Sequence, residues 1–250
     1  MTGINTISLQ LEKVQLGYTR EKPVFNDLSL SVSEGSFVGL IGNNGIGKST
    51  LLKTLCGVIR PLSGNVIIKE KRIDDFTQED LAKTVSVVLT EKVEGFNLRV
   101  YDVVAMGRYP YTGYFGELKE SDRQLVEKYL ELCGIAHVKQ KSISEVSDGE
   151  RQKAMIAKAL AQQTSVILLD EPTAFLDYAS KNQVTRLLKD LAHKENKIIV
   201  VSSHDLEMLM RNVDFCLLLA QDSRYIYDKP EKLIGTDEMK LLTGDNNFKL

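Results

Sequence analysis

The chain has 250 residues, 43% of them apolar and 26% charged, a globular balance that excludes wholesale disorder and leaves room for a sizeable core. With 34 acids against 32 Lys and Arg, the net charge of −2 supplies no basic field for holding nucleic acid. The longest apolar stretches, such as Val166–Leu169, fall far short of the roughly 20 residues that a membrane-spanning helix needs.

In chain order, Ile7, Leu9, Leu11 and Val14 alternate with polar residues, and 28–32 (Leu-Ser-Leu-Ser-Val) alternates again before a Ser33-Glu34-Gly35 turn. That period of two predicts strands with one buried face. Residues 36–41 are a short apolar run, the pattern of a buried strand, and lead into a glycine-rich segment at 42–49. A helix carried by Leu51, Leu52 and Leu55 follows and stops at Gly57. Strands are expected again at 65–68 and 85–89. From about 100 the pattern turns helical, with helices over 101–107, 121–133 and 149–163. Between the first two lies 108–116, aromatic, glycine-rich and too broken for a strand. Strand and helix then alternate through 165–170, 178–194, 197–202, 205–211 and Phe215–Leu219, and 233–242 closes the chain as one short helix. Alternation on both sides of a helical block predicts an α/β fold, a mostly parallel sheet with a helical insertion. Cys56, Cys133 and Cys216 are widely spaced without Cys-x-x-Cys, the pattern of small buried hydrophobes rather than of a disulfide framework or zinc site.

The strongest motif is Gly42-Asn43-Asn44-Gly45-Ile46-Gly47-Lys48-Ser49, which matches G-x-x-x-x-G-K-[ST] and continues into Thr50. Glycines let backbone N–H groups approach an anion with no Cβ in the way. Lys48 brings a point charge to the β/γ-phosphates, Ser49 can ligate Mg²⁺, and the following helix turns its positive end toward the phosphates. Its place between a strand and a helix is the context the motif requires. A phosphate loop also needs an acid for the metal and a group that aims water. Val166–Leu169 runs into Asp170-Glu171, where Asp170 can hold Mg²⁺ and Glu171 can polarise the attacking water.

With these motifs in this order, the chain resembles the ATP-binding subunits of ABC transporters over nearly its whole length. Val146-Ser147-Asp148-Gly149-Glu150-Arg151-Gln152, just before a helix, is similar to the family signature L-S-G-G-Q. The resemblance implies that Ser147, Gly149 and Glu150 close on ATP held by the phosphate loop of a second, identical subunit. It also implies that Tyr18 stacks on adenine, that Ala174-Phe175-Leu176-Asp177 is the D-loop at the dimer interface, and that His204 is the switch histidine near the γ-phosphate. The implied fold is a single ABC ATPase domain: a P-loop NTPase (RecA-like) core over 1–92 and 164–250, an N-terminal antiparallel β part, and a helical signature subdomain over 93–163. Two departures stand out. Asp148 occupies the position of the signature's first Gly and Glu150 that of its Gln. The metal-sensing Gln expected after the strand at 85–89 falls on Thr90, taken here as a metal ligand with Ser49 and Asp170, or on Glu91.

Residues 100–110 and 113–116 resemble the importers of iron-siderophores, haem and cobalamin, whose Gly-Arg-x-Pro element matches Gly107-Arg108-Tyr109-Pro110. That likeness implies an ATPase with ATP and Mg²⁺ as cofactors, paired head to tail under integral-membrane permease subunits and served indirectly by a substrate-binding protein. The expected location is cytoplasmic, peripheral on the inner face of the cell membrane, with 108–116 docking on the permease. An exporter ATPase and a soluble ABC-type mechanical ATPase remain open as alternatives.

Overall fold

The structure, a computed structural model, describes residues 7–89, 98–113 and 116–243. Thr90 and Glu91, the two positions for the expected metal-sensing glutamine, lie outside the described residues, as do Tyr114 and Phe115.

The chain opens with β1 (Ile7–Thr19) and β2 (Lys22–Ser33), followed by β3 (Phe37–Ile41) and α1 (Lys48–Leu55). Next come β4 (Ser63–Ile68), the two-residue β5 (Lys71–Arg72), α2 (Gln78–Thr84) and β6 (Val85–Val88). The helical block holds α3 (Val100–Ala105), α4 (Glu120–Leu132) and α5 (Asp148–Ala161). The chain then forms β7 (Val166–Leu169), α6 (Tyr178–Glu195), β8 (Ile198–Ser202), α7 (Leu206–Met210), β9 (Phe215–Leu219) and β10 (Tyr225–Asp228). Two short helices, α8 (Pro230–Leu233) and α9 (Asp237–Thr243), follow.

Two sheets result. One has the order β2-β1-β4-β5 and is antiparallel throughout; the other, β10-β9-β3-β8-β7-β6, is parallel except for β10. The parallel strands read as continuous apolar runs because both their faces are covered. Phe37 and Ile41, Ile167 and Leu169, and Ile199 and Val201 face the helical layer. Val38 and Leu40, Val166 and Leu168, and Ile198 and Val200 face α1 and the antiparallel sheet. Each such side chain, fully buried, contributes about 1.5–3 kcal/mol.

Several elements depart from the sequence reading. The first strand runs on to Thr19, carrying Tyr18 to its end. A helix at α2 and a strand at β10 were not expected; α2 has no buried residue, and every residue of β10 is half-buried, so neither shows a clean apolar period. The segment after α3 winds as a 3₁₀ helix over Met106–Tyr111. The expected single helix at 233–242 is two, because Ile234 leaves the helical region with ψ 127°. Cys133 and Cys216 are buried, whereas Cys56 is only half-buried; all three are free thiols.

Candidate active site

Three neighbouring parallel strands, β3, β8 and β7, end on the same edge of the sheet. From them emerge the glycine-rich loop, His204, and the Asp170-Glu171 pair, and the C-terminal edge of a parallel sheet is where α/β proteins bind ligands. Gly47 caps α1 with φ 114°, and a Cβ there would lie 2.7 Å from Val24 Cγ1, so any other residue would be strained and would displace the Val24 side chain.

Lys48 is buried, and its ammonium donates to the carbonyls of Gly42 at 2.6 Å and Asn43 at 3.2 Å, curling the loop around it. Burial pushes its pKa below the ordinary lysine value, while the nearby Glu171 and Asp170 carboxylates push the other way. Ser49 Oγ donates to Asp170 Oδ2 at 2.6 Å, joining the loop to the end of β7. Glu171 follows in the left-handed region, φ 50°, which costs a non-glycine residue about 1 kcal/mol or more. Its Oε1 lies 2.5 Å from His204 Nε2. An open cleft of about 340 Å³ lined by Glu171, Thr173, Ala174, Lys181, Ser203, His204 and Asp205 adjoins the pair.

Ser49 and Asp170 suit a magnesium ion. They offer hard oxygens, one of them anionic, and Mg²⁺ is typically held by one or two such groups with substrate phosphates and water completing its shell. Among the described residues no group of three or more His, Cys, Asp and Glu could hold a metal alone.

Tyr18 is 66% exposed, a ring free to take a flat partner on its face. The signature segment starts α5, with Ser147 as its cap: the hydroxyl accepts from Glu150 N at 3.2 Å, and Glu150 Oε2 accepts from Ser147 N at 2.9 Å. The Ser147 N–H, together with the Ser147 hydroxyl that donates to the same Oε2 at 2.8 Å, holds the Glu150 carboxyl below the usual range. Asp148 Oδ1 accepts from Arg151 Nη1 at 2.8 Å, so its charge is paired. Gly149 lies against the D-loop, where a Cβ would sit 3.2 Å from Phe175 O. Phe175 and Tyr178 are both exposed there, and α5 packs on α3, α4 and β6 whereas α1 packs on β1.

Sequence reasoning missed Ser202, which lies between β3 and β7 and bonds to both Asp170 and Glu171. It also misplaced Arg108. Expected on a docking surface, Arg108 is 5% exposed and donates to Asp122 Oδ1 at 2.9 Å and Ala161 O at 2.6 Å. Its guanidinium carbon lies 4.1 Å from the centre of the Tyr111 ring, and Tyr111 Oη donates to Gln162 O. The Gly-Arg-x-Pro element therefore fastens α3 to α4 and α5; of its side chains, Tyr109 is exposed.

The family model described as ABC transporter matches residues 25–174. The chain belongs to the ABC transporter family. It is an ABC ATPase, similar at 42% identity to an uncharacterised ABC transporter ATP-binding protein of Methanocaldococcus jannaschii, over 90% of this chain and 78% of that one. It is 35% identical to the iron(3+)-hydroxamate import ATP-binding protein of Bacillus subtilis, over 85% of this chain and 78% of that one. Among solved structures, a chain of a metal-chelate type ABC transporter in an inward-facing conformation superimposes with a TM-score of 0.82 at 28% identity, covering 96% of this chain and 90% of that one. No helix among the described residues is long and apolar enough to cross a membrane.

Proposed function

We propose that this ABC ATPase energises an importer for a metal chelate of the iron-siderophore, haem or cobalamin kind, working as a pair of identical chains under a membrane permease at the inner face of the cell membrane. The observation that carries the ATPase part is the junction of Ser49 with Asp170 at 2.6 Å beside the Glu171–His204 pair. The importer part is supported by relatives named for iron(3+)-hydroxamate, ferric enterobactin and cobalamin import.

In this reading 1–92 and 164–250 form the nucleotide-binding core and 93–163 the signature arm. Tyr18 stacks on adenine, and 42–50 wraps the phosphates with backbone N–H groups while Lys48 neutralises β/γ charge. Ser49 and Asp170 hold Mg²⁺, which when bound neutralises further phosphate charge. Glu171 orients and deprotonates the attacking water, and His204, its partner in the single chain, contacts the γ-phosphate. Ser147, Gly149 and Glu150 of one chain close on the nucleotide of the other. A cassette solved as a dimer, 25% identical to this chain with a TM-score of 0.75, supports the pairing, as do the exposed Phe175, beside Gly149, and the exposed Tyr178 at the start of α6. Hydrolysis then removes the γ-phosphate that bridges the two chains, and the dimer reopens.

Tagging the chain, solubilising cell membranes in mild detergent and identifying companions by mass spectrometry tests the importer reading. A many-span permease of the iron-chelate or cobalamin type is the expected companion. Recovery from the soluble fraction alone, with ribosomal or DNA-bound proteins, would overturn the transport role and leave the ATPase.

A further inference from the structure

Ser202 is the last residue of β8 and is fully buried. Its strand runs between β3 and β7, and the parallel register that sets Leu169 beside Val201 brings Ser202 level with Asp170. One hydroxyl makes two bonds there: it donates to Asp170 Oδ1 at 2.6 Å and accepts from Glu171 N at 2.9 Å. The geometry points to Ser202 as a positioning residue that sets the aim of both acids, a role that rests on the assignment of Asp170 to the metal and Glu171 to the water.

The two bonds act on different things. With Oδ1 held by Ser202, the oxygen turned to the phosphate loop is Oδ2, the one bonded to Ser49. The carboxylate plane is thus set from the sheet side, and a single rotamer presents one oxygen to the ion. The second bond holds the peptide at which the chain turns into the left-handed region and swings the Glu171 side chain toward His204. Without an acceptor that part-buried N–H has no partner in the direction that fixes the turn, and the base loses its aim. Alanine at 202 removes both constraints together, whereas threonine retains the hydroxyl.

Ser202→Ala and Ser202→Thr are compared with wild type and with Asp170→Asn. Binding of the fluorescent analogue MANT-ATP is titrated once with Mg²⁺ and once in EDTA, and ATPase rates are taken across a Mg²⁺ series. Ser202→Ala is expected to bind MANT-ATP in EDTA within about twofold of wild type, and to lose roughly tenfold or more of the affinity that Mg²⁺ adds. It should need about tenfold more Mg²⁺ for half-maximal rate, with kcat down by a similar factor and KM for ATP nearly unchanged at saturating Mg²⁺. Ser202→Thr should recover most of each loss; if its added methyl lowers the melting temperature, the alanine variant decides alone. A Ser202→Ala protein whose Mg²⁺ response and kcat stay within twofold of wild type overturns the inference. Asp170→Asn separates the two levels: a normal Mg²⁺ response in that variant sinks the metal assignment itself, and a lost response beside a normal Ser202→Ala sinks the role of Ser202 alone.

Discussion

His204 Nε2 and Glu171 Oε1 lie 2.5 Å apart at the ends of neighbouring strands, so the imidazole and the proposed base are each other's partner in the single chain. Glu171→Gln keeps an amide oxygen for His204 and nearly the same shape, and removes the basicity. Hydrolysis should fall by about 10²–10⁴, the usual contribution of a general base, while ATP binding persists. ATP should then drive the variant into a dimer that survives size-exclusion chromatography. Turnover near the wild-type rate would sink the assignment of Glu171.

Lys48 carries the next expectation. Its pKa lies below the lysine value because burial disfavours the ammonium. A base with a depressed folded pKa weighs against folding below both values, and the cost fades as pH climbs from the folded toward the unfolded value. Lys48→Ala removes that cost along with two bonds to loop carbonyls, so its melting temperature without nucleotide should stay within about 3 °C of wild type. ATP at 100 times its Kd stabilises a binding-competent chain by about 2.7 kcal/mol, roughly 5–10 °C for a chain of this size. Differential scanning fluorimetry should show that shift in wild type and lose it in Lys48→Ala. A shift retained in the variant would remove Lys48 from the phosphate site.

Much of this architecture is legible in the sequence because its signals are local. The glycine-rich loop states its own backbone, and the apolar run before Asp170 marks a strand end. Ser202 is opaque for the opposite reason: a serine closing a strand looks like any other until the β7–β8 register sets it against Asp170. Arg108 misleads in the same way. Beside Tyr109 and Pro110 it reads as part of an exposed docking segment, and only α4 and α5 bring Asp122 and the Ala161 carbonyl to it. The helix α2 did leave a local trace, since Thr77 caps it by accepting from Asp80 N, but a surface helix has no apolar stripe to confirm the start signal.

Asp148 puts an acid beside the proposed nucleotide contact of Ser147 and Gly149, and its pairing with Arg151 limits the repulsion. Both side chains reach solvent, so the effect is small and screened. Asp148→Asn should lower the ATP concentration for half-maximal turnover roughly twofold to fivefold. Arg151→Gln should raise it, and the double variant should resemble Asp148→Asn alone, because Arg151 acts through the charge that Asp148→Asn removes. All three differences should shrink in 0.5 M salt; a salt-independent effect would place the cause in helix capping instead.

Arg108 and Asp122 make the sharpest stability test. Their side chains are each 6% exposed, and Asp122 Oδ2 also accepts from Lys119 N, where α4 begins. Truncating the arginine leaves a buried carboxylate without its cation, which costs about 3–5 kcal/mol, far above a surface pair. Arg108→Ala should therefore lower the melting temperature by on the order of 10 °C. Arg108→Lys should recover little: a point charge cannot reach both Asp122 and the Ala161 carbonyl as the planar guanidinium does. Arg108→Met with Asp122→Leu removes both charges and should regain most of the loss. If instead Arg108→Ala melts within 2 °C of wild type while its complex with membrane partners falls apart, Arg108 belongs to a docking surface and the buried pair contributes little.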